Sequence, residues 1–252
     1  MHTDPLFYAV AVPAVIILGL AKGGLAGLGM LAVPLMSLVV SPVEAATIVL
    51  PILLVQDVVS VWAFRKAWDG RSLAIMLPGA AVGIGLGYLL AARVSTAAVE
   101  FAVGLTSIVF GLQQLWKTWR GALEPRHASD WIGVACGVGA GFTSQIAHAG
   151  GPPFQLYMLP KHLPRDVFVG TSAIFFAVVN WLKVPAYVAL GQFTSQNLHT
   201  AAVLLPLAVA STIGGVWVIR RISGPRFYFA MYLLLVLVGA RLTWSGLGAL
   251  VH

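Results

Sequence analysis

The feature that most constrains this chain is a series of eight hydrophobic segments that occupy most of its length. They cover residues 6–40, 43–64, 72–92, 97–116, 131–159, 166–190, 197–219 and 226–248. Only 9% of the 252 residues are charged, whereas a soluble domain carries roughly 25%. Apolar segments of this length satisfy their backbone hydrogen bonds within lipid by forming helices. The sequence therefore predicts an all-α integral membrane protein without a large extramembrane domain.

The first and fifth segments are too long for one ordinary span, and each is interrupted. The first carries Gly23, Gly24, Gly27 and Gly29. The fifth carries Gly139, Gly141, Gly150, Gly151, Pro152 and Pro153. Glycine permits unusual backbone angles, and proline ends a helix. We therefore expect each interrupted segment to form two short half-helices joined near the middle of the membrane.

The chain also repeats itself. Residues 73–116 align without a gap on 201–244, with twelve identities in forty-four positions, where a sequence of this composition gives roughly four or five by chance. The two glycine-rich segments correspond as well, with Gly19 over Gly141 and Gly29 over Gly151. We therefore predict two repeats, 1–124 and 125–252, each with one broken segment followed by three ordinary ones.

Basic residues indicate how the repeats are oriented. They are concentrated at 65–71, 117–126, 161–165 and 220–226, and basic loops generally face the cytoplasm. Six full spans and two re-entrant hairpins place all four clusters on that side. The repeats are then inverted, which is a common architecture of secondary transporters. The alternative is eight plain spans with a weak charge bias.

Inverted-repeat transporters bind their substrate where broken helices meet, and the N-terminus of a half-helix favours a small anion. Lys22 lies deep in an apolar segment, where a charge is costly and is by default a functional hypothesis. The candidate substrate-binding residues are Lys22, Gly23, Gly24, Gly27, Gly29, Thr143, Ser144, Gln145, His148, Gly150 and Gly151. Lys22 could instead snorkel or form a structural pair, and His148 could be a structural histidine.

Four further polar residues lie within spans, namely Gln56, Asp57, Asn180 and Lys183. Asp57 could pair with Lys22 or take up a proton during transport, and His148 could carry a proton near neutral pH. A purely structural ion pair is the alternative for Asp57.

Several other classes are disfavoured. The net charge of +7 comes from short loops, so we expect no nucleic-acid partner, and Cys136 is the sole cysteine, so no internal disulfide or cysteine-cluster metal site is expected. No ATP-binding loop is visible, and no cofactor is expected. Ser144 and His148 stand four residues apart, but no Gly-x-Ser-x-Gly elbow accompanies them. An anion channel, an intramembrane enzyme and an assembly factor are the alternatives to a carrier.

The chain resembles the sulfite exporter TauE/SafE family. The residues that carry the resemblance are Gly24-Leu25-Ala26-Gly27-Leu28-Gly29, followed by Pro34, and Ala149-Gly150-Gly151 in the second repeat. The resemblance covers nearly the whole chain and implies transport of sulfite or organosulfonates across the bacterial inner membrane. The expected partners are a small anion, the lipid bilayer and protons as the coupling ion, and a homodimer is compatible with the sequence.

Overall fold

A computed structural model describes residues 5–24, 28–36, 38–90, 93, 95–120, 129–189, 191 and 193–251. Its ten α-helices are α1 (Pro5–Lys22), α2 (Ala32–Met36), α3 (Pro42–Phe64), α4 (Gly70–Leu90), α5 (Thr96–Trp119), α6 (Asp130–Ala147), α7 (Gly151–Met158), α8 (Arg165–Ala189), α9 (Ser195–Ile219) and α10 (Gly224–Val251). Short 3₁₀ helices at Leu28–Leu31 and Leu159–Lys161 precede α2 and follow α7. The described residues contain no strand, so the predicted all-α class is confirmed.

Seven helices within the described residues are long and apolar enough to cross a membrane, namely α1, α3, α4, α5, α8, α9 and α10. Six of them coincide with the six unbroken hydrophobic segments. The seventh, α1, is the first arm of the first broken segment. Eight spanning or re-entrant segments and their inverted arrangement stay predictions.

The two broken segments are divided less evenly than expected. Helices α1 and α6 each have 18 residues, or about 27 Å at 1.5 Å per residue. The arms after the breaks are short, with five residues in α2 and eight in α7. The expectation of two short half-helices is therefore wrong for the first arm of each segment. No helix-breaking pair interrupts α1 before Gly23-Gly24, or α6 before Gly150-Gly151.

The helices form two compact units that are discontinuous in sequence. The first unit comprises Met1–Trp68 and Val169–Arg221, and the second comprises Asp69–Phe168 and Ile222–His252. Each unit thus draws segments from both predicted repeats. The predicted boundary between the repeats, after residue 124, lies outside the described residues and stays a prediction.

In the first unit, α1 and α3 both pack against α9. The buried core includes Phe7, Leu18, Ile48, Ile52 and Leu204. Glycine allows close approach of α1 and α9, because a Cβ added to Gly23 would lie 2.3 Å from the backbone carbon of Gly215. Small residues are the usual means by which membrane helices pack closely.

In the second unit, α4 packs on α6 and α5 packs on α10. A Cβ added to Gly87 of α4 would lie 2.9 Å from the Cβ of Gln145 on α6. The predicted repeat makes Gly87 equivalent to Gly215, and Gln145 equivalent to Gly23. Equivalent positions of the repeat therefore form a helix–helix contact within each unit.

Candidate functional site

Lys22, the last residue of α1, lies against Asp57 of α3. Its Nζ donates a hydrogen bond to Asp57 Oδ1 and forms an ion pair with the carboxylate. The Lys22 side chain is 13% exposed and that of Asp57 is 1% exposed. The second carboxylate oxygen accepts a hydrogen bond of 2.7 Å from Asn180 Nδ2. Both oxygens of this buried carboxylate are therefore engaged by the protein.

One face of α8 is directed at this ion pair. Phe176, Asn180 and Lys183 follow one another at intervals of four and three residues, which places them on one side of a helix. The Lys22 ammonium lies 5.8 Å from the centre of the Phe176 ring. Lys183 is 1% exposed and follows Asn180 by three residues on the same face of α8. We refer to Lys22, Asp57, Asn180 and Lys183 together as the Lys22 cluster.

Asp57, Asn180 and Lys183 of the Lys22 cluster lie inside helices that are apolar enough to span a membrane, and Lys22 lies at the end of another. Asp57 precedes the end of α3 at Phe64 by seven residues, which is about 10 Å along the axis. Asn180 precedes the end of α8 at Ala189 by nine residues, or about 14 Å. Ionisable groups at such positions are costly and usually mark ion or substrate pathways.

The end of α1 is stabilised in place. Ser60 Oγ donates a hydrogen bond of 2.8 Å to the Lys22 carbonyl oxygen, which would otherwise lack a helical partner. The positive charge of Lys22 also complements the negative end of the helix dipole. Ser60 is thus a residue that the sequence did not single out, although its position three residues after Asp57 places it on the same face of α3.

The glycines of the first break serve helix packing and backbone geometry. The Gly23 N–H donates to Gly19 O at 2.8 Å, and the Gly24 N–H donates to Ala21 O at 3.1 Å. Gly24 has a φ of 143°, a value that residues with a side chain rarely adopt. Their N–H groups are therefore already used within the protein.

The other two glycines predicted at the first break are Gly27 and Gly29. Gly29 lies in the 3₁₀ helix Leu28–Leu31, where an added Cβ would be 3.3 Å from the Cβ of Ala21. Gly27 lies outside the described residues. The structure thus places Lys22 as the charged group of this break, with the described glycines around it in packing roles.

The second break belongs to the second unit. His148 follows α6 in a left-handed conformation with a φ of 52°. The next N–H, from Ala149, closes the helix end by donating to Thr143 O at 3.1 Å. Thr143 Oγ1 donates to Gly139 O at 2.7 Å. The Thr143 hydroxyl, expected to donate to an anion, is therefore bonded to the backbone.

The N-terminus of α7 offers few donors. Gly150 and Gly151 are both buried there, and they are followed by Pro152 and Pro153, which have no N–H group. A half-helix N-terminus rich in N–H donors was expected, but at the start of α7 the donors ahead of the prolines are those of the two glycines. Gln145 lies in the last turn of α6. Its buried Oε1 accepts no hydrogen bond from the described residues.

A polar cluster that the sequence did not predict lies at the ends of α4 and α7 in the second unit. Lys161 Nζ donates to Ser72 Oγ at 2.7 Å, and Ser72 Oγ donates to Asp69 Oδ2 at 2.5 Å. Partial burial raises the pKa of Asp69, but the hydrogen bonds from Ser72 and the charge of Lys161 outweigh it and hold this pKa below its usual value. An aspartate immediately before the first residue of α4, a preferred N-cap, was the available signal.

The comparison with protein families relates this geometry to known proteins. The family model described as sulfite exporter TauE/SafE matches residues 11–242. The chain belongs to the sulfite exporter TauE/SafE family. The resemblance inferred from the glycine motifs is thereby confirmed. No curated protein and no solved structure matches the chain.

Membership of the TauE/SafE family makes the protein a membrane transport protein. The match includes the glycines of both breaks and all the residues of the Lys22 cluster. It assigns no role to any residue, so the candidate substrate-binding set of the sequence analysis stays a prediction. Asn180 and Lys183 were noted from the sequence as polar residues within a span. The structure brings Asn180 to Asp57 and buries Lys183 three residues later on α8.

Proposed function

We propose that this protein is a secondary carrier that moves a small sulfur-containing anion, sulfite or an organosulfonate, across the bacterial inner membrane. The observation that carries the proposal is the Lys22 cluster, a buried ion pair at the end of a broken helix in a TauE/SafE protein. Lys22 is the anion ligand, and Asp57 holds its ammonium group in the absence of the anion. Asn180 orients the carboxylate.

Alternating access and inverted repeats complete the proposal. Supporting them are the repeat of 73–116 in 201–244 and the close helix contacts at equivalent positions in the two units. The basic loops face the cytoplasm in this arrangement, as the positive-inside rule expects. Gly150, Gly151, Gln145 and His148 of the second break stay candidate anion ligands within the second unit, and protons are the coupling ion through Asp57 or His148.

The test is transport of sulfite and of alkyl sulfonates in proteoliposomes containing the purified protein. Lys22→Met alone removes the ammonium group that forms an ion pair with Asp57, and breaking a buried pair in this way costs about 3–5 kcal/mol. The variant that combines Lys22→Met with Asp57→Asn removes both charges together, so it keeps the charge balance of the cluster. We expect this double variant to fold and to lose transport.

Lys66→Gln is the matched control, because Lys66 is an exposed lysine of the same unit. This control variant should transport at the parental rate. Saturable uptake with counterflow identifies a carrier, whereas uptake without counterflow identifies an anion channel. Parental transport by the folded double variant would contradict the assignment of Lys22 as the anion ligand.

A further inference from the structure

The Lys22 cluster contains more positive than negative charge. Within the described residues of the first unit, the carboxylates are Asp57 and Glu44. Glu44 lies thirteen residues earlier on α3, about 20 Å along the helix axis. Asp57, which contacts Lys22 and the α8 residue Asn180, is therefore the carboxylate of the Lys22 cluster. When both lysines are protonated, the cluster carries one net positive charge.

The second lysine of the cluster, Lys183, is buried in α8. Lys183 is 1% exposed, and it is one helical turn after Asn180, which donates to Asp57. Phe176 lies on the same face of α8 and contacts the Lys22 ammonium. Lys183 and Asp57 are thus buried, and Lys22 largely so, in helices that are apolar enough to span a membrane. A net charge in such a low-dielectric region is costly until an anion neutralises it.

We infer that Lys183 is a second substrate-binding cation and that the Lys22 cluster selects an anion with a single negative charge over one with two. This inference rests on the proposed function and specifies its substrate class as monovalent oxyanions, such as sulfonates or hydrogen sulfite. One such anion brings the cluster to neutrality. A divalent oxyanion leaves one negative charge in excess among the same buried groups.

The experiment measures binding of methanesulfonate, which has one negative charge, and of sulfate, which has two. Apparent dissociation constants come from thermal stabilisation of the purified protein in detergent, at constant ionic strength with gluconate as the balancing anion. One additional unit charge about 6–12 Å away changes a binding constant by roughly a hundredfold to tenfold at an effective dielectric of about 20. We expect the parent to bind methanesulfonate at least about tenfold more tightly than sulfate.

Three variants test the charge count. Asp57→Asn raises the net charge by one and should shift the preference toward sulfate by about tenfold or more. Lys183→Gln lowers the net charge by one and should weaken methanesulfonate binding by a similar factor. Lys183→Arg keeps the charge and should retain the parental preference. Lys66→Gln removes an exposed positive charge of the same unit and should leave both constants unchanged.

The outcomes separate this inference from the proposed function. Equal or tighter binding of sulfate by the parent overturns the charge selectivity. Unchanged binding in Lys183→Gln overturns the role of Lys183, even when sulfite transport and its dependence on Lys22 are intact. A parent that binds neither probe overturns the inference, and only a parent that also fails to transport sulfite overturns the proposed function.

Discussion

Gly214 and Gly215 are neighbours on α9 that differ in their surroundings, and together they provide a matched test of how α1 is held. A Cβ added to Gly215 would lie 2.9 Å from the Gly19 carbonyl oxygen and 2.9 Å from the Leu20 Cα, both on α1. A Cβ added to Gly214 would meet no atom within 4 Å. Replacement by alanine therefore introduces a backbone clash at one position and none at the next.

The magnitude follows from these distances. Overpacking of a well-packed contact costs about 1–3 kcal/mol, and backbone atoms cannot move aside as a flexible side chain would. Each kcal/mol shifts the melting temperature by roughly 2–4 °C for a chain of this size. We therefore expect Gly215→Ala to lower the apparent Tm by about 2–12 °C. Gly214→Ala should leave it unchanged or raise it, because alanine favours the helix by up to about 1 kcal/mol.

The assay is thermal unfolding of both variants in the same detergent, followed by the binding of methanesulfonate. Gly19 lies three residues before Lys22 and Gly23 lies one residue after it. Displacement of α1 in Gly215→Ala should therefore also weaken anion binding. Equal melting temperatures for the two variants would refute the close approach of α1 and α9. Normal stability with lost binding would refute the packing role that we assign to Gly215.

Three further predictions concern the second unit. Gly83→Ala should destabilise the protein and Gly85→Ala should not, because an added Cβ would lie 2.1 Å from Val138 O in the first case and meets nothing within 4 Å in the second; equal melts would contradict this. His148→Gly should raise the Tm, since a left-handed conformation costs a residue with a side chain roughly 1–2 kcal/mol, and a lower Tm would show that the histidine ring contacts outweigh this strain. Asp69→Asn should reduce stability at pH 7. Folding lowers the pKa of Asp69. Its contribution to the free energy of unfolding is therefore present above the unfolded pKa of about 3.9 and is lost as the pH falls through the folded pKa. The difference between parent and variant in denaturant unfolding should close below about pH 4, and a constant difference would contradict the ion-pair role.

The boundaries of the helices were largely predictable. The segment predicted at 43–64 forms α3 at Pro42–Phe64, and the segment predicted at 166–190 forms α8 at Arg165–Ala189. Both breaks were expected at their glycines, and helices α1 and α6 end there. These features depend on apolar length and on glycine and proline, which act locally.

The composition of the candidate site was less predictable. Thr143, Gly23 and Gly24 were expected to offer hydrogen bonds to an anion, but their donors are bonded to the protein backbone. A sequence shows that a residue has a donor, whereas only the folded backbone shows whether that donor already has a partner.

The sequence by itself determined that the chain is a helical membrane protein, that two of its segments are broken, and that Lys22 lies at one break, because hydropathy and glycine content act over a few helical turns. Pairing of Lys22 with Asp57 was one of the alternatives that the sequence offered, and only the tertiary structure brought the two together and added Asn180. Asp57 and Asn180 are 123 residues apart, and their contact depends on how α3 and α8 are rotated about their axes. That rotation is decided by packing among helices, to which distant parts of the chain contribute equally.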